Sequence, residues 1–160
     1  MNLKISVEYG SWNEKEVRFI VAECTEAVFS AIELRRNNLE ICFLFTNDEE
    51  VRILNKTYRK INEPTNVLSF PAEILPKNDS YCILGSIALA FETIERESLQ
   101  QKKSIQNHLK HLIIHGLLHL LRYDHIEESE AEQMEALEIA ILKKLNIKNP
   151  YEENYYDNEN

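Results

Sequence analysis

Three histidines near the middle of the chain have the spacing of metal ligands. His115 and His119 are four residues apart and His125 follows six residues later, within the sequence HGLLHLLRYDH. On a helix the first two side chains share one face, with Cβ atoms about 5–6 Å apart. One divalent ion can bridge them, because zinc–nitrogen bonds are about 2.0–2.1 Å long. If the helix ends near Leu121 and the chain turns back, His125 can reach the same ion.

Three neutral imidazoles leave the ion its full positive charge and one open coordination position, which is typical of a catalytic zinc site. A closed structural zinc site is an alternative, but it needs a fourth ligand, and no cysteine lies near in the sequence. Each histidine can also be an ordinary core residue with a backbone partner. The helical pair followed by a third histidine after a turn favours one zinc ion per chain, held by His115, His119 and His125.

Metzincin proteases share this histidine spacing, and they carry a glutamate directly after the first histidine as the general base. Gly116 occupies that position here. A metallopeptidase is therefore the weaker alternative, because the ligand spacing is present without the base.

Further motifs on both sides of the histidines resemble those of the YbeY family, bacterial endoribonucleases that act as ribosomal RNA maturation factors. The matching segments are residues 54–59 (LNKTYR), 64–71 (PTNVLSFP), 84–87 (LGSI) and 125–138 (HIEESEAEQMEALE). With the histidine motif, the resemblance covers roughly residues 40 to 150. It implies that the three histidines bind zinc and that Arg59 is needed for RNA cleavage.

The resemblance further implies a zinc-dependent, single-strand-specific endoribonuclease that acts in ribosomal RNA processing, at the 3′ end of 16S RNA, and in ribosome quality control. The expected partners are ribosomal RNA and the ribosome or its small subunit, and the expected form is a cytoplasmic monomer. A non-catalytic ribosome-assembly factor, whose zinc only stabilises the fold, is an alternative that the sequence does not separate from the enzyme.

Three positions depart from the usual pattern of that family. Asn62 and Ser86 stand where aspartate is usual, which puts an acid–base role for those positions in doubt. Arg122 stands where glycine is usual, at the point where the helix must end. Helices often end in a left-handed residue, which favours glycine. A left-handed Arg122 would carry about 1 kcal/mol of strain.

Composition and charge limit the remaining possibilities. The chain has 160 residues, 44% of them hydrophobic, with only three glycines and four prolines, which is typical of one folded domain. Three widely spaced cysteines indicate reduced thiols, and we expect no signal peptide and no membrane span. The net charge of −9 does not favour RNA binding, but much of the acid lies in the last helix and the tail.

The hydrophobic pattern predicts an α+β fold with a small mixed sheet of about four strands, helices packed on it, and a central buried helix that carries the histidines. We expect one domain over residues 1–149 and a polar, acidic tail over residues 150–160. Arg59 is predicted in the last turn of a helix, off its apolar stripe of Val51, Leu54, Tyr58 and Ile61. Its alternative role there is that of a solvated cation favoured by the helix dipole.

Overall fold

The computed structural model describes residues 1–34, 38–72, 81–123 and 127–152. Within these ranges the strands are β1 (Asn2–Val7), β2 (Leu39–Thr46), β3 (Val67–Pro71) and β4 (Cys82–Ala90). The helices are α1 (Glu14–Ala31), α2 (Asp48–Arg59), α3 (Phe91–Gln100), α4 (Ile105–Leu120) and α5 (Glu128–Lys144). The predicted α+β class is confirmed.

The strands form one mixed sheet in the order β1-β2-β4-β3. β1, β2 and β4 are parallel, and β3 runs antiparallel to β4 at the edge. Pro71 ends this edge strand, where its missing N–H costs the sheet no hydrogen bond. A bulge in β4 brings Gly85 to a φ of +154°, and a Cβ there would lie 2.5 Å from the Phe70 carbonyl oxygen.

One face of the sheet packs against α1 and α4 and forms the main core. α4 is buried on most sides, as its apolar sequence predicts, and α5 packs against α4 from outside the sheet. Each fully buried leucine or isoleucine on such a helix contributes about 1.5–3 kcal/mol relative to exposure. The histidines of α4 are therefore carried on a rigid support.

Three helices begin at asparagine or serine side chains that act as caps. Asn13, Asn47 and Ser104 each accept a hydrogen bond from the backbone N–H three residues later, at 2.9–3.1 Å. Such a cap contributes about 1 kcal/mol. The caps fix the starting points of α1, α2 and α4, and therefore which residues face the core.

The opposite face of the sheet is covered less completely, by α2. Val51 is fully buried there, but Tyr58 and Ile61 are 67% and 49% exposed. The prediction of a buried apolar stripe is therefore wrong for Tyr58 and Ile61, because α2 covers the sheet only over its first turns. An open, mostly apolar trough of about 820 Å³ remains between α2 and the strands.

Among the described residues, no helix combines the length and the apolar character that crossing a bilayer requires.

Candidate metal centre

Two of the three predicted ligands converge on one face of α4. Nε2 of His115 lies 3.0 Å from Nε2 of His119, and the ring centroids are 4.6 Å apart. Two ligand atoms on one tetrahedral zinc ion are separated by about 3.3 Å, given bonds of about 2.0 Å. The pair therefore fits a metal ion with only a small outward movement of the rings.

The other nitrogen of His115 is directed at a buried carboxylate. Nδ1 of His115 lies 2.5 Å from Oε1 of Glu138, whose side chain is 0% exposed. A carboxylate accepts, so the hydrogen belongs on Nδ1 and the lone pair on Nε2 is directed at His119. Histidines that bind metals are usually oriented by a partner of this kind.

The second oxygen of Glu138 has two further contacts. Nε2 of His111, one turn before His115, lies 3.1 Å from Oε2, and the hydroxyl of Tyr151 donates to the same oxygen. Burial alone would raise the pKa of Glu138, but the hydrogen bonds from His111, His115 and Tyr151 outweigh it and lower the pKa to about 2. Glu138 is therefore a buried carboxylate that stays ionised at neutral pH.

The same residues form a second arrangement that can hold a metal ion. Ligand atoms of His111, His115 and Glu138 all lie within 4.8 Å of one another. In that arrangement Glu138 acts as a ligand itself, whereas in the predicted set it only orients His115. His115 thus belongs both to this set and to the predicted one, whose third member, His125, lies outside the described residues.

Arg59 is the last residue of α2, and its side chain is held against the edge strand β3, which packs on α4. Its Nη2 donates to the carbonyl oxygen of Ser69 at 2.8 Å, and its Cζ lies 5.8 Å from the centroid of the Phe70 ring. The hydroxyl of Ser69 donates in turn to the carbonyl of Gly116, at 3.4 Å. One strand residue thus links the Arg59 guanidinium to the residue next to His115.

Gly116 lies where α4 approaches the sheet closely. A Cβ at this position would lie 3.0 Å from the Ser69 hydroxyl oxygen and 3.2 Å from Cδ1 of Ile87. A side chain at position 116 would therefore enter the packed core, away from the histidine rings. The glutamate base of a metalloprotease would crowd the Ser69 hydroxyl and the Ile87 side chain already at its Cβ.

α4 ends just before Arg122, the arginine within the histidine motif. Arg122 has a φ of 74°, so it is left-handed, as we expected for a position where glycine is usual. Its guanidinium donates to the carbonyl oxygen of Ala72, just after β3. The predicted third ligand, His125, lies outside the described residues, as do its neighbours 124 and 126.

Three cations of α2 and α4 differ in how their charge is used. Arg52 is paired with Glu49 at 2.6 Å, and Lys110 with Glu23 at 2.9 Å. Arg59, by contrast, bonds to a backbone carbonyl, which carries no net charge. Its positive charge thus remains available to an anionic ligand.

Sequence reasoning missed Glu138 and Tyr151. In the sequence Glu138 is one of many acids of the last helix, but it lies four residues after Met134 and three before Ile141, both of which are buried. A carboxylate on the inward face of a helix is the signal that identifies it. Tyr151 has no comparable signal, because it lies after the end of α5.

Comparison with known proteins gives consistent results. A sequence model of the family described as Endoribonuclease YbeY matches residues 3–146. The chain is 42% identical over 159 residues to the Endoribonuclease YbeY of Sinorhizobium fredii, covering 94% of this chain and 92% of that protein. It is 41% identical over 161 residues to that of Agrobacterium fabrum, covering 94% and 95%. The solution structure of TM1509 from Thermotoga maritima shares the fold, with a TM-score of 0.57, 22% identity, and coverage of 90% of this chain and 91% of that one.

Proposed function

Because the chain belongs to the YbeY family, we propose that it is a metal-dependent endoribonuclease that cleaves single-stranded RNA in ribosomal RNA processing. One zinc ion per chain would be held by His115, His119 and His125. The observation that carries the proposal is the orientation of His115, with one ring nitrogen on a buried carboxylate and the other directed at His119. This is the arrangement that a histidine needs in order to offer a lone pair to a metal.

The orientation of His115 favours the three-histidine set over the set that includes His111 and Glu138. The contacts of His111 and His115 fall on different oxygens of Glu138, at 3.1 Å and 2.5 Å. Both contacts are hydrogen bonds from an imidazole N–H, and the Tyr151 hydroxyl donates to Glu138 as well. Glu138 thus acts best as an orienting acceptor.

Arg59 would act on the substrate rather than on the metal. Its guanidinium can stabilise the charge that develops on a scissile phosphate, and its fork suits phosphate oxygens. The hydrogen bond to Ser69 holds the side chain in place before substrate arrives. A bound zinc ion would supply a Lewis acid to the same phosphate.

The proposal places the activity at the 3′ end of 16S RNA and in ribosome quality control, in the cytoplasm, with the small ribosomal subunit as the partner of a monomeric enzyme. The crowding around Gly116 argues against a peptidase. The alternative is an assembly factor that contains zinc but has no catalytic activity, and the experiment must distinguish it from the enzyme.

The test is incubation of the purified protein with a labelled single-stranded RNA that carries the 16S 3′ sequence, and separately with casein. We expect cleavage of the RNA alone, loss of cleavage with a chelator and recovery with zinc. Arg59→Glu should remove cleavage while the zinc content and the melting temperature stay unchanged, and Arg59→Lys should rescue it poorly.

Arg18→Glu, which reverses an exposed charge on α1, is the matched control and should cleave normally. A zinc-loaded protein that binds the RNA without cutting it would support the assembly factor instead. Normal cleavage by Arg59→Glu would contradict the role given to that residue.

A further inference from the structure

A residue from the C-terminal segment contacts the metal centre, although it lies beyond the part of the chain that the family model matches. That match ends at residue 146. The Tyr151 hydroxyl donates to Oε2 of Glu138, and the Tyr151 ring meets the His111 ring edge-on, with centroids 5.5 Å apart and an interplanar angle of 87°. The contact therefore joins this segment to the carboxylate that orients His115.

The backbone after α5 directs Tyr151 back toward α4. After α5 ends at Lys144, Asn146 adopts a left-handed conformation with a φ of 62°, and Ile147 packs against the core. The Asn149 side chain then accepts a hydrogen bond from the backbone N–H of Tyr151, at 2.8 Å. A reversal, an apolar anchor and a local turn thus fix the position of the tyrosine.

We propose that Tyr151 is a positioning residue of the metal centre: it holds the Glu138 carboxylate, and through it the His115 ring, in the orientation that metal binding needs. This inference rests on the proposed role of His115 as a zinc ligand. With Tyr151 and His111 on Oε2, the other oxygen is left to His115 Nδ1 alone. Without the tyrosine, Oε2 keeps only the His111 contact at 3.1 Å, so the carboxylate, and with it the His115 ring, is held less firmly.

The chemistry of the group supports this role. A fully buried carboxylate needs hydrogen-bond donors to compensate for the lost water, and the Tyr151 hydroxyl is one of the three donors to Glu138 in the described chain. Burial, followed by the neighbouring Glu138, raises the pKa of Tyr151. The phenol therefore remains protonated and continues to donate.

The first test compares zinc affinity, measured by competition with a chelating indicator, in the wild type and in Tyr151→Phe. Losing a direct partner of a metal-bound histidine costs about 10- to 100-fold in affinity, so a residue one step further away should cost about 3- to 10-fold. Tyr81→Phe is the matched control, because the Tyr81 hydroxyl also donates to a buried glutamate, Glu40, that contacts none of the α4 histidines in the described structure. It should leave zinc affinity unchanged.

The second test reads the orientation of His115 itself. In the metal-free protein, the Nδ1–H proton of His115 should give a downfield NMR signal, which Tyr151→Phe should shift or broaden and Tyr81→Phe should not. With cobalt in place of zinc, Tyr151→Phe should also change the visible absorption spectrum. Unchanged zinc affinity and unchanged spectra in Tyr151→Phe would overturn the inference.

The proposed metal site and the proposed role of Tyr151 can fail separately. If wild-type zinc binding proves independent of His115, both the proposed metal site and the role of Tyr151 are overturned. If His115→Ala abolishes zinc binding while Tyr151→Phe binds zinc as tightly as the wild type, only the inference about Tyr151 is overturned.

Discussion

Two histidines of α4, each paired with a glutamate from another helix, show what separates a core histidine from one that can bind a metal. Nε2 of His108 lies 2.9 Å from Oε1 of Glu97, and Nδ1 of His115 lies 2.5 Å from Oε1 of Glu138. In both cases hydrogen bonds outweigh burial and lower the pKa of the glutamate, although the Glu138 side chain is fully buried and that of Glu97 is 27% exposed. The pairs differ in the second ring nitrogen. Nδ1 of His108 is buried without a hydrogen-bond partner in the described chain, whereas Nε2 of His115 is directed at His119.

The comparison shows that a carboxylate on one nitrogen does not by itself make a ligand. His108 is 3% exposed and surrounded by the core, so a metal ion has no access to its second nitrogen. The side chain of His115 is 25% exposed, and its second nitrogen lies beside another imidazole. The direction and the access of the second nitrogen therefore decide the role.

The largest expected effect on zinc affinity comes from removing a predicted metal ligand, and removing the core histidine His108 is the comparison. His119→Ala should lower zinc affinity by more than about 100-fold, because two ligands rarely hold zinc against water. His108→Ala should leave zinc affinity nearly unchanged but lower stability by about 2 kcal/mol, since it opens a cavity in the core. Zinc titrations and denaturant melts separate the two. Zinc binding by His119→Ala at wild-type affinity would remove the basis of the comparison.

Changing the two carboxylates tests the orienting role directly. Glu138→Gln should weaken zinc binding by about 10- to 100-fold, because Gln can accept from His115 with only one oxygen and carries no charge. Glu97→Gln, the matched control, should bind zinc like the wild type. Equal zinc affinities of the two variants would show that Glu138 does not orient a ligand.

Acid unfolding of the metal-free protein sharpens the comparison further. The pKa of Glu138 is about 2 in the folded state, below the value of 4.5 for an unperturbed glutamate. Its stabilisation is therefore complete above about pH 4.5 and is lost as the pH falls toward 2, and it is on the order of 3 kcal/mol. Urea melts at several pH values should give a flatter acid limb for Glu138→Gln. Identical limbs in the variant and the wild type would contradict the lowered pKa.

The smallest expected effect concerns the residues that follow the ends of α3 and α4. Arg122 and Lys102 are left-handed, with φ values of 74° and 54°. Replacing either with glycine should raise the free energy of unfolding by about 0.5–1 kcal/mol, because glycine relieves the strain. Arg122→Gly also loses the bond to Ala72, so its gain should be the smaller of the two. A denaturant midpoint below that of the wild type for both variants would show that the conformations carry no strain.

Most of the fold could be predicted because its signals are local. The caps at Asn13, Asn47 and Ser104 and the apolar repeats of the helices lie within a few neighbouring residues. The left-handed Arg122 was expected for the same reason, since the requirement for a helix end is local. The prediction that Tyr58 belongs to a buried apolar stripe is wrong, because a helical repeat shows which face is apolar but not how far the partner sheet extends.

The parts of the site that could not be predicted depend on contacts distant in sequence. The contact between His115 and Glu138 spans 23 residues and two helices, and that between Tyr151 and Glu138 spans 13. No short pattern encodes the packing of α5 on α4, so a glutamate there looks solvated in the sequence. The assignment of His125 as third ligand stays a prediction.

The crowding around Gly116 has a consequence for how this scaffold can be re-engineered, or could change in evolution. Its histidine spacing is that of a metzincin, so installing the missing base looks like a single substitution, Gly116→Glu. The new side chain would start 3.0 Å from the Ser69 oxygen and 3.2 Å from Ile87. The Ser69 and Ile87 side chains would have to give way by a few tenths of an ångström for its Cβ alone. The two catalytic types, so similar in sequence here, are thus separated by local packing as well as by the identity of one residue.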